Sequence, residues 1–169
     1  PEAEARINGD LEGLSPLYLA QDGKLVGVLG IEDPLKAGVP EAIAALRSQG
    51  IGHIIMLTGD NERTAARIAA EAGITEYRAD LLPEDKHAYV EALVARGQRV
   101  VMVGDGVNDA PALSAADVGI AMGTGTAIAQ EVADVTLAAG GLDAIVRLHA
   151  LSRSLMGRLD RSFTAVMGI

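Results

Sequence analysis

Apolar positions along this chain fall into short runs punctuated by glycine, and the spacing changes from one segment to the next. Leu17–Ala20 and Leu25–Ile31 flank Gln21-Asp22-Gly23-Lys24, two strand-like runs around an Asp-Gly turn, which predicts a β-hairpin. Asp33-Pro34 ends the second run. Val39–Gln49 has apolar residues at 39, 43 and 46 in an Ala-rich background, and Gly50 follows as a helix stop. From there the two periods alternate. Strands are predicted at His53–Leu57, Arg99–Val103, Val118–Met122 and Val135–Leu137. Helices are predicted at Asn61–Ala72, Pro83–Arg96, Asp109–Ala115, Thr126–Ala133 and Leu142 to about Ser162. No element is predicted between Gly73 and Pro83.

Repeated strand–helix units with short Gly-rich joints imply an α/β fold: a Rossmann-like parallel sheet with helices on both faces, preceded by the hairpin. A chain of 169 residues is one domain, or one domain plus part of another, and can bury a sizeable core. Hydrophobic content is 49% but aromatic content only 2%, so Ala, Val, Ile and Leu must build that core. Met56, Met102 and Met122 fall in predicted strands and read as core filler. The net charge of −9 argues against nucleic acid as a partner. It leaves nucleotides open, because bound Mg²⁺ screens phosphate. There is no cysteine, hence no disulfide and no thiolate metal site. His53, His87 and His149 lack metal-ligand spacing and read as surface or packing residues.

Three polar clusters interrupt this pattern. Gly104-Asp105-Gly106-Val107-Asn108-Asp109-Ala110-Pro111-Ala112-Leu113 follows the buried run ending at Val103. Two acids, an amide and a Gly-rich turn at a strand end suit Mg²⁺ and phosphate, since Mg²⁺ takes one or two carboxylates and leaves its other positions to water and phosphate oxygens. A plain turn and helix start would also explain a lone Gly-Asp-Gly. Thr58-Gly59-Asp60-Asn61 sits between a strand and a helix, where a hydroxyl, an unobstructed backbone N–H and the helix dipole favour an anion. Asp60 or Asn61 as an ordinary N-cap is the plainer account of the same residues. Leu82-Pro83-Glu84-Asp85-Lys86 opens a helix, with Pro83 in its first turn and two acids at its positive end. Lys86 is then either a solvated charge or a group that reaches a phosphoryl oxygen.

In order and spacing these clusters resemble the later motifs of the haloacid dehalogenase (HAD) superfamily, and the ten-residue string resembles the hinge motif of P-type ATPases within it. Asp33-Pro34-Leu35-Lys36, Val118–Thr126 and Ala133–Leu137 extend the resemblance over residues 16 to 160 or so. Gly140-Gly141-Leu142 with Leu151-Ser152-Arg153 is most similar to the heavy-metal-transporting type IB pumps. The resemblance implies a HAD-like fold and a division of labour. Thr58 and Gly59 would hold the transferred phosphoryl group, and Asp60 would help to place nucleotide and Mg²⁺. Lys86 would stabilise charge on the phosphoryl oxygens. Asp105 would ligate Mg²⁺ directly, Asn108 would hydrogen-bond phosphate, and Asp109 would support the metal site. ATP is the implied substrate.

The same family places its nucleophile in an Asp-Lys-Thr-Gly-Thr motif at the end of an earlier strand, and that motif is absent. Asp33 has Leu35 where Thr or Asp is needed, and Asp134-Val135-Thr136 follows a helical run. The expected organisation is therefore layered. Residues 1–31 would close a nucleotide-binding domain and its hinge, with the N-terminal hairpin belonging to that neighbour. Residues 32–140 would form the phosphorylation domain without its nucleophile segment. Residues 141–169 would form a helix leading toward a membrane span. The chain begins at Pro1 and stops in an increasingly apolar run, Phe163–Ile169, so both ends read as cut. No run reaches the about 18 residues of a membrane span. The expected parent is a cytosolic catalytic region attached to nucleotide-binding, actuator and transmembrane domains, with a heavy-metal cation as cargo. A soluble HAD phosphatase and a non-catalytic HAD-like binding module are the rival readings. The first would need its own nucleophile, and the second has no physical need for Lys86, Asp105 and Asp109 together.

Overall fold

A computed structural model of the chain describes residues 15–31, 34–123 and 127–167. The element order is β1 (Ser15–Gln21), β2 (Lys24–Ile31), α1 (Val39–Ser48), β3 (Ile55–Leu57), α2 (Glu62–Ala72), β4 (Glu76–Arg78) and α3 (Pro83–Ala95). Then come β5 (Val101–Gly104), a 3₁₀ turn (Val107–Asp109), α4 (Ala110–Ala115), β6 (Val118–Met122), α5 (Ala127–Val132), β7 (Val135–Leu137) and α6 (Leu142–Met167). Every predicted element is present, with ends shifted by a few residues. Glu32, Asp33, Thr124, Gly125 and Thr126 lie outside the described residues.

β1 and β2 pair antiparallel from Ser15↔Ile31 to Gln21↔Lys24. Asp22 and Gly23 both have positive φ, 51° and 75°, the backbone of the tight primed turn that Asp-Gly favours. All other strand pairs are parallel, as the alternation of strand and helix predicts. They do not form one continuous ladder. β3 pairs with β4, and β5, β6 and β7 pair in that order. β4 escapes sequence reading because it is three residues long and carries no apolar run; its partner β3 and the packing of α2 create it.

A hydrophobic cluster lies within the β5–β6–β7 unit and α4. Leu113 and Ala121 are fully buried there, with Met102 and Ala133 packed on them. The three central residues of β6 are all buried, which requires cover on both faces of the strand. With few aromatics available, the core relies on close approach of small groups. A Cβ on Gly119 would lie 2.6 Å from the Leu113 carbonyl oxygen, so β6 and α4 meet backbone to backbone. Two carboxylates finish this unit at the strands' amino ends. Asp117 accepts from the Val100 N–H at 2.8 Å, and Asp134 accepts from the Gly119 N–H at 2.8 Å. Asp134 is thereby occupied structurally, at the end of the strands opposite the polar clusters.

The first and last helices join through Gln49, at the end of α1. His149 Nδ1 lies 2.6 Å from Gln49 Oε1, and Arg153 donates to the Gln49 carbonyl at 2.7 Å. Ala42 and Ile43 of α1 and Ala144 and Ile145 of α6 are buried along this contact. At the start of α6, Asp143 accepts from the Gly141 N–H and from Arg147 one turn on. The Arg147 hydrogen bond chiefly holds the Asp143 carboxyl below its ordinary value of 3.8.

Two outcomes follow from these contacts. Gly119→Ala should lower stability by about 1–3 kcal/mol, since a rigid backbone carbonyl has no room to yield; denaturant titration of both chains checks it. Asp143 should stabilise the first turn of α6 fully above pH 3.8 or so and lose that contribution as the pH falls through its lower folded-state value. Amide exchange across residues 142–147 in an acid titration reads this, and Asp143→Asn should flatten the response.

Candidate active site

All three polar clusters lie at the carboxyl ends of parallel strands or at the start of the helix between them, where ligands bind in open α/β sheets. Thr58 follows β3. Its N–H donates to the Arg78 carbonyl at 3.0 Å, extending the β3–β4 ladder by one bond. The Thr58 hydroxyl donates to Asp60 Oδ2 at 2.8 Å and accepts from the Asp60 N–H at 3.0 Å. Asn61, rather than Asp60, caps α2, its side chain accepting from the Thr64 N–H at 3.0 Å. The plain capping role thus falls to Asn61 alone, while Thr58 and Asp60 pair with each other.

The cluster is strapped to the segment that leads into α3. Leu81 N–H donates to the Thr58 carbonyl at 3.1 Å, and Asp80 N–H donates to the Asp60 carbonyl at 2.8 Å. Asp80 adopts φ of 53°, left-handed backbone that an aspartate tolerates better than most residues. Gly59 runs so close to this strap that a Cβ would sit 3.2 Å from the Leu81 carbonyl oxygen. The strap places the start of α3 beside Thr58. Asp85 then accepts from the Leu82 N–H at 3.0 Å, closing the first turn.

Lys86 leaves this helix toward the other half of the molecule. Its Nζ donates to Asp109 Oδ1 at 2.9 Å, with both side chains only 15% and 16% exposed. Partial burial weakens solvent screening, so this pair is held more firmly than a surface pair. Asp109 is pressed against β5 from the other side. A Cβ on Gly104 would fall 2.8 Å from Asp109 Cβ and 3.0 Å from its Oδ2. The carboxylate can approach the strand end only because residue 104 has no side chain. Asp105 and Asn108 are exposed beside it.

Lys86, Asp109 and the Gly104 turn are therefore brought together directly, and Thr58, Gly59 and Asp60 are joined to them through residues 80–82. One residue that reads from sequence as a surface or packing residue lies next to this pair. His87 Nδ1 lies 2.9 Å from the Pro111 carbonyl oxygen. Its place next to Lys86 was the available signal. His53 and His149 sit elsewhere, on Glu76 and Gln49. No three His, Cys, Asp or Glu groups gather into a metal site among the described residues.

The two glycines of the turn separate approach from flexibility. Gly104→Ala should push Asp109 off the strand end and break its bond to Lys86. Gly106→Ala should be tolerated, since its Cβ would meet nothing closer than 3.9 Å. Chemical-shift changes at Lys86 in the two variants distinguish them.

A sequence model of the family described as haloacid dehalogenase-like hydrolase matches residues 3–117. The silver-exporting P-type ATPase of Salmonella typhimurium is 53% identical over 152 residues, covering 90% of this chain and 18% of that protein. The copper-exporting P-type ATPase of Legionella pneumophila is 49% identical over 151 residues, covering 89% of this chain and 20% of that one. The chain thus spans about a fifth of the length of these relatives. A crystal structure of a zinc-transporting type IB ATPase in its E2·Pi state superposes with a TM-score of 0.82 at 38% identity, over 99% of this chain and 28% of that one. The match includes the segments that carry Thr58, Lys86 and Asp105. The chain belongs to the haloacid dehalogenase-like hydrolase family, in the form that heavy-metal P-type ATPases share.

Proposed function

We propose that this chain is the phosphoryl-transfer core of an ATP-driven heavy-metal cation exporter, lying on the cytosolic side of a membrane protein. The observation that carries the reading is the Lys86–Asp109 pair, held at 2.9 Å beside Asp105 at the carboxyl end of β5. A lysine and an acid of low exposure, next to an exposed acid on a Gly-rich turn, suit a phosphoryl group that arrives with its own cation. The relatives' names, silver-exporting and copper-exporting, favour a soft metal ion as cargo.

The residues divide the work of phosphoryl transfer, in which positioning and charge neutralisation do most of the catalysis. Lys86 neutralises charge on the phosphoryl oxygens, and Asp109 holds its ammonium in place. Thr58 and Gly59 offer the hydroxyl and backbone N–H to the same oxygens, once Asp60 turns from Thr58 toward nucleotide. Asn108 donates from its exposed amide to phosphate. Asp105, with Asp109 in support, would hold Mg²⁺, and that ion would supply charge screening at the phosphate oxygens. The nucleophilic aspartate belongs to a segment outside this chain, as do the nucleotide-binding, actuator and transmembrane partners.

Two surfaces support this division of domains. β1 and β2 expose Leu17, Tyr18, Leu19, Leu25, Val26 and Leu29, more apolar surface than a lone two-stranded ribbon can sustain in water. It reads as the last hairpin of a neighbouring nucleotide-binding domain. Between residues 151 and 159, α6 exposes Leu151, Leu155, Met156 and Leu159, in keeping with a helix that runs on toward membrane helices. No helix among the described residues is itself long and apolar enough to cross a membrane.

The isolated chain should not turn over ATP, because it lacks a nucleophile; robust Mg²⁺-dependent hydrolysis by the pure chain would overturn the reading. Within a full-length pump that carries this segment, Lys86→Ala and Asp105→Asn should each lower phosphoenzyme turnover by about a hundredfold or more. Radiolabelled phosphate incorporation measures it. Asp134→Asn should leave turnover near that of the unaltered pump, since its carboxylate serves β6.

A further inference from the structure

We infer that His87 is a positioning residue for Lys86: its imidazole pins α3 to the Pro111 carbonyl and so sets where the Lys86 ammonium can stand. The inference rests on the reading of Lys86 as the charge that meets the phosphoryl group. Its own support is geometric.

Two adjacent residues of α3 make two adjacent contacts with one segment. Lys86 Nζ reaches Asp109 Oδ1 at 2.9 Å, and His87 Nδ1 reaches the Pro111 carbonyl oxygen at 2.9 Å. Residues 86 and 87 thus meet residues 109 and 111, and α3 packs along α4 and the 3₁₀ turn in between. A lysine alone cannot fix this geometry. Its long flexible stem lets the ammonium keep its contact while the helix slides or turns beneath it. Successive helical residues are about 100° apart around the axis, so a second contact from residue 87 restrains the rotation that the first leaves free. Imidazole suits the task because it is short, planar and has few rotors.

The acceptor also settles the proton. A backbone carbonyl has no hydrogen to give, so Nδ1 must carry one. Nε2 lies 3.9 Å from Glu91 Oε2 one turn along α3, and that glutamate is 71% exposed. Any form of the ring that carries a hydrogen on Nδ1 can make the bond to Pro111. Lys86 then faces the phosphoryl group with its helix already placed.

The test is nuclear magnetic resonance on the 169-residue chain, with no activity needed. The ¹⁵N shifts of His87 should show a protonated Nδ1 at pH 8, and the Lys86 ammonium should give a ¹H–¹⁵N cross-peak sheltered from solvent exchange. His87→Ala should abolish the Lys86 cross-peak while core methyl signals of Leu113 and Val90 stay in place. His87→Asn, whose amide can donate in the position of Nδ1, should restore it. A neutral His87 protonated on Nε2, or a Lys86 cross-peak that persists unchanged in His87→Ala, would overturn the inference. A separate titration with inorganic phosphate and Mg²⁺ probes the underlying reading. Failure to perturb Lys86 in the unaltered chain would count against phosphoryl transfer and leave the tether standing, because neither His87 signal depends on it.

Discussion

The bond from Lys86 to Asp109 joins two halves that share no strand pairing. On one side stand β3 and β4 with the Thr58 strap; on the other stand β5, β6 and β7. Helix α3 leaves the first half and lays its lysine on the second. Because both partners are largely shielded, deleting either would leave the other's charge without its counter-charge in a partly desolvated place. The same shielding makes the ammonium useful, since its field is weakly screened where a phosphoryl group would arrive. Structure and proposed chemistry thus draw on one contact. Asp109 can stand this close to the strand end only because residue 104 has no side chain.

Packing around this contact follows from a core with almost no aromatic volume. Large rings would separate the layers. Alanines at 65, 69 and 72 along α2, and at 110, 112 and 121 around β6, instead let backbone approach backbone. Glycine then becomes a packing residue. At 104 and 119 the missing Cβ is what admits Asp109 and the Leu113 carbonyl, respectively. Such a core is sensitive to single added methyl groups in a way that a looser, larger-residue core is not. The edges are treated differently. Asp117 and Asp134 use carboxylates to finish the strand starts, so acids serve structure at one end of the β5–β6–β7 ladder and stand exposed or ion-paired at the other.

Alternation of apolar runs with glycine stops was enough to read twelve of the elements from sequence, because periodicity and helix-end chemistry are local properties. The chemistry-bearing types were legible for the same reason. Thr58, Lys86, Asp105 and Asp109 stand out as polar residues immediately beyond apolar runs or at helix starts. The hairpin was specified by two residues, Asp22 and Gly23, whose backbone preference matches the turn they make. The sequence by itself therefore determined the order of strands and helices, the parallel class and the set of candidate groups.

Which of those groups touch was decided only by tertiary structure. Lys86 and Asp109 are 23 residues apart, and His87 and Pro111 are 24 apart; no local rule pairs them. Asp60 and Asn61 both qualify as caps by type; in the structure Asn61 caps α2 while the Asp60 carboxylate takes the Thr58 hydroxyl. β4 exists because β3 offers it backbone partners, and a three-residue segment has no period of its own to read. The division of the parallel strands into two ladders is likewise a matter of long-range hydrogen bonding. Local patterns state what each residue can do; the distances closed by α3 state what it does, because a hydrogen bond or ion pair depends on position in space and not on separation along the chain.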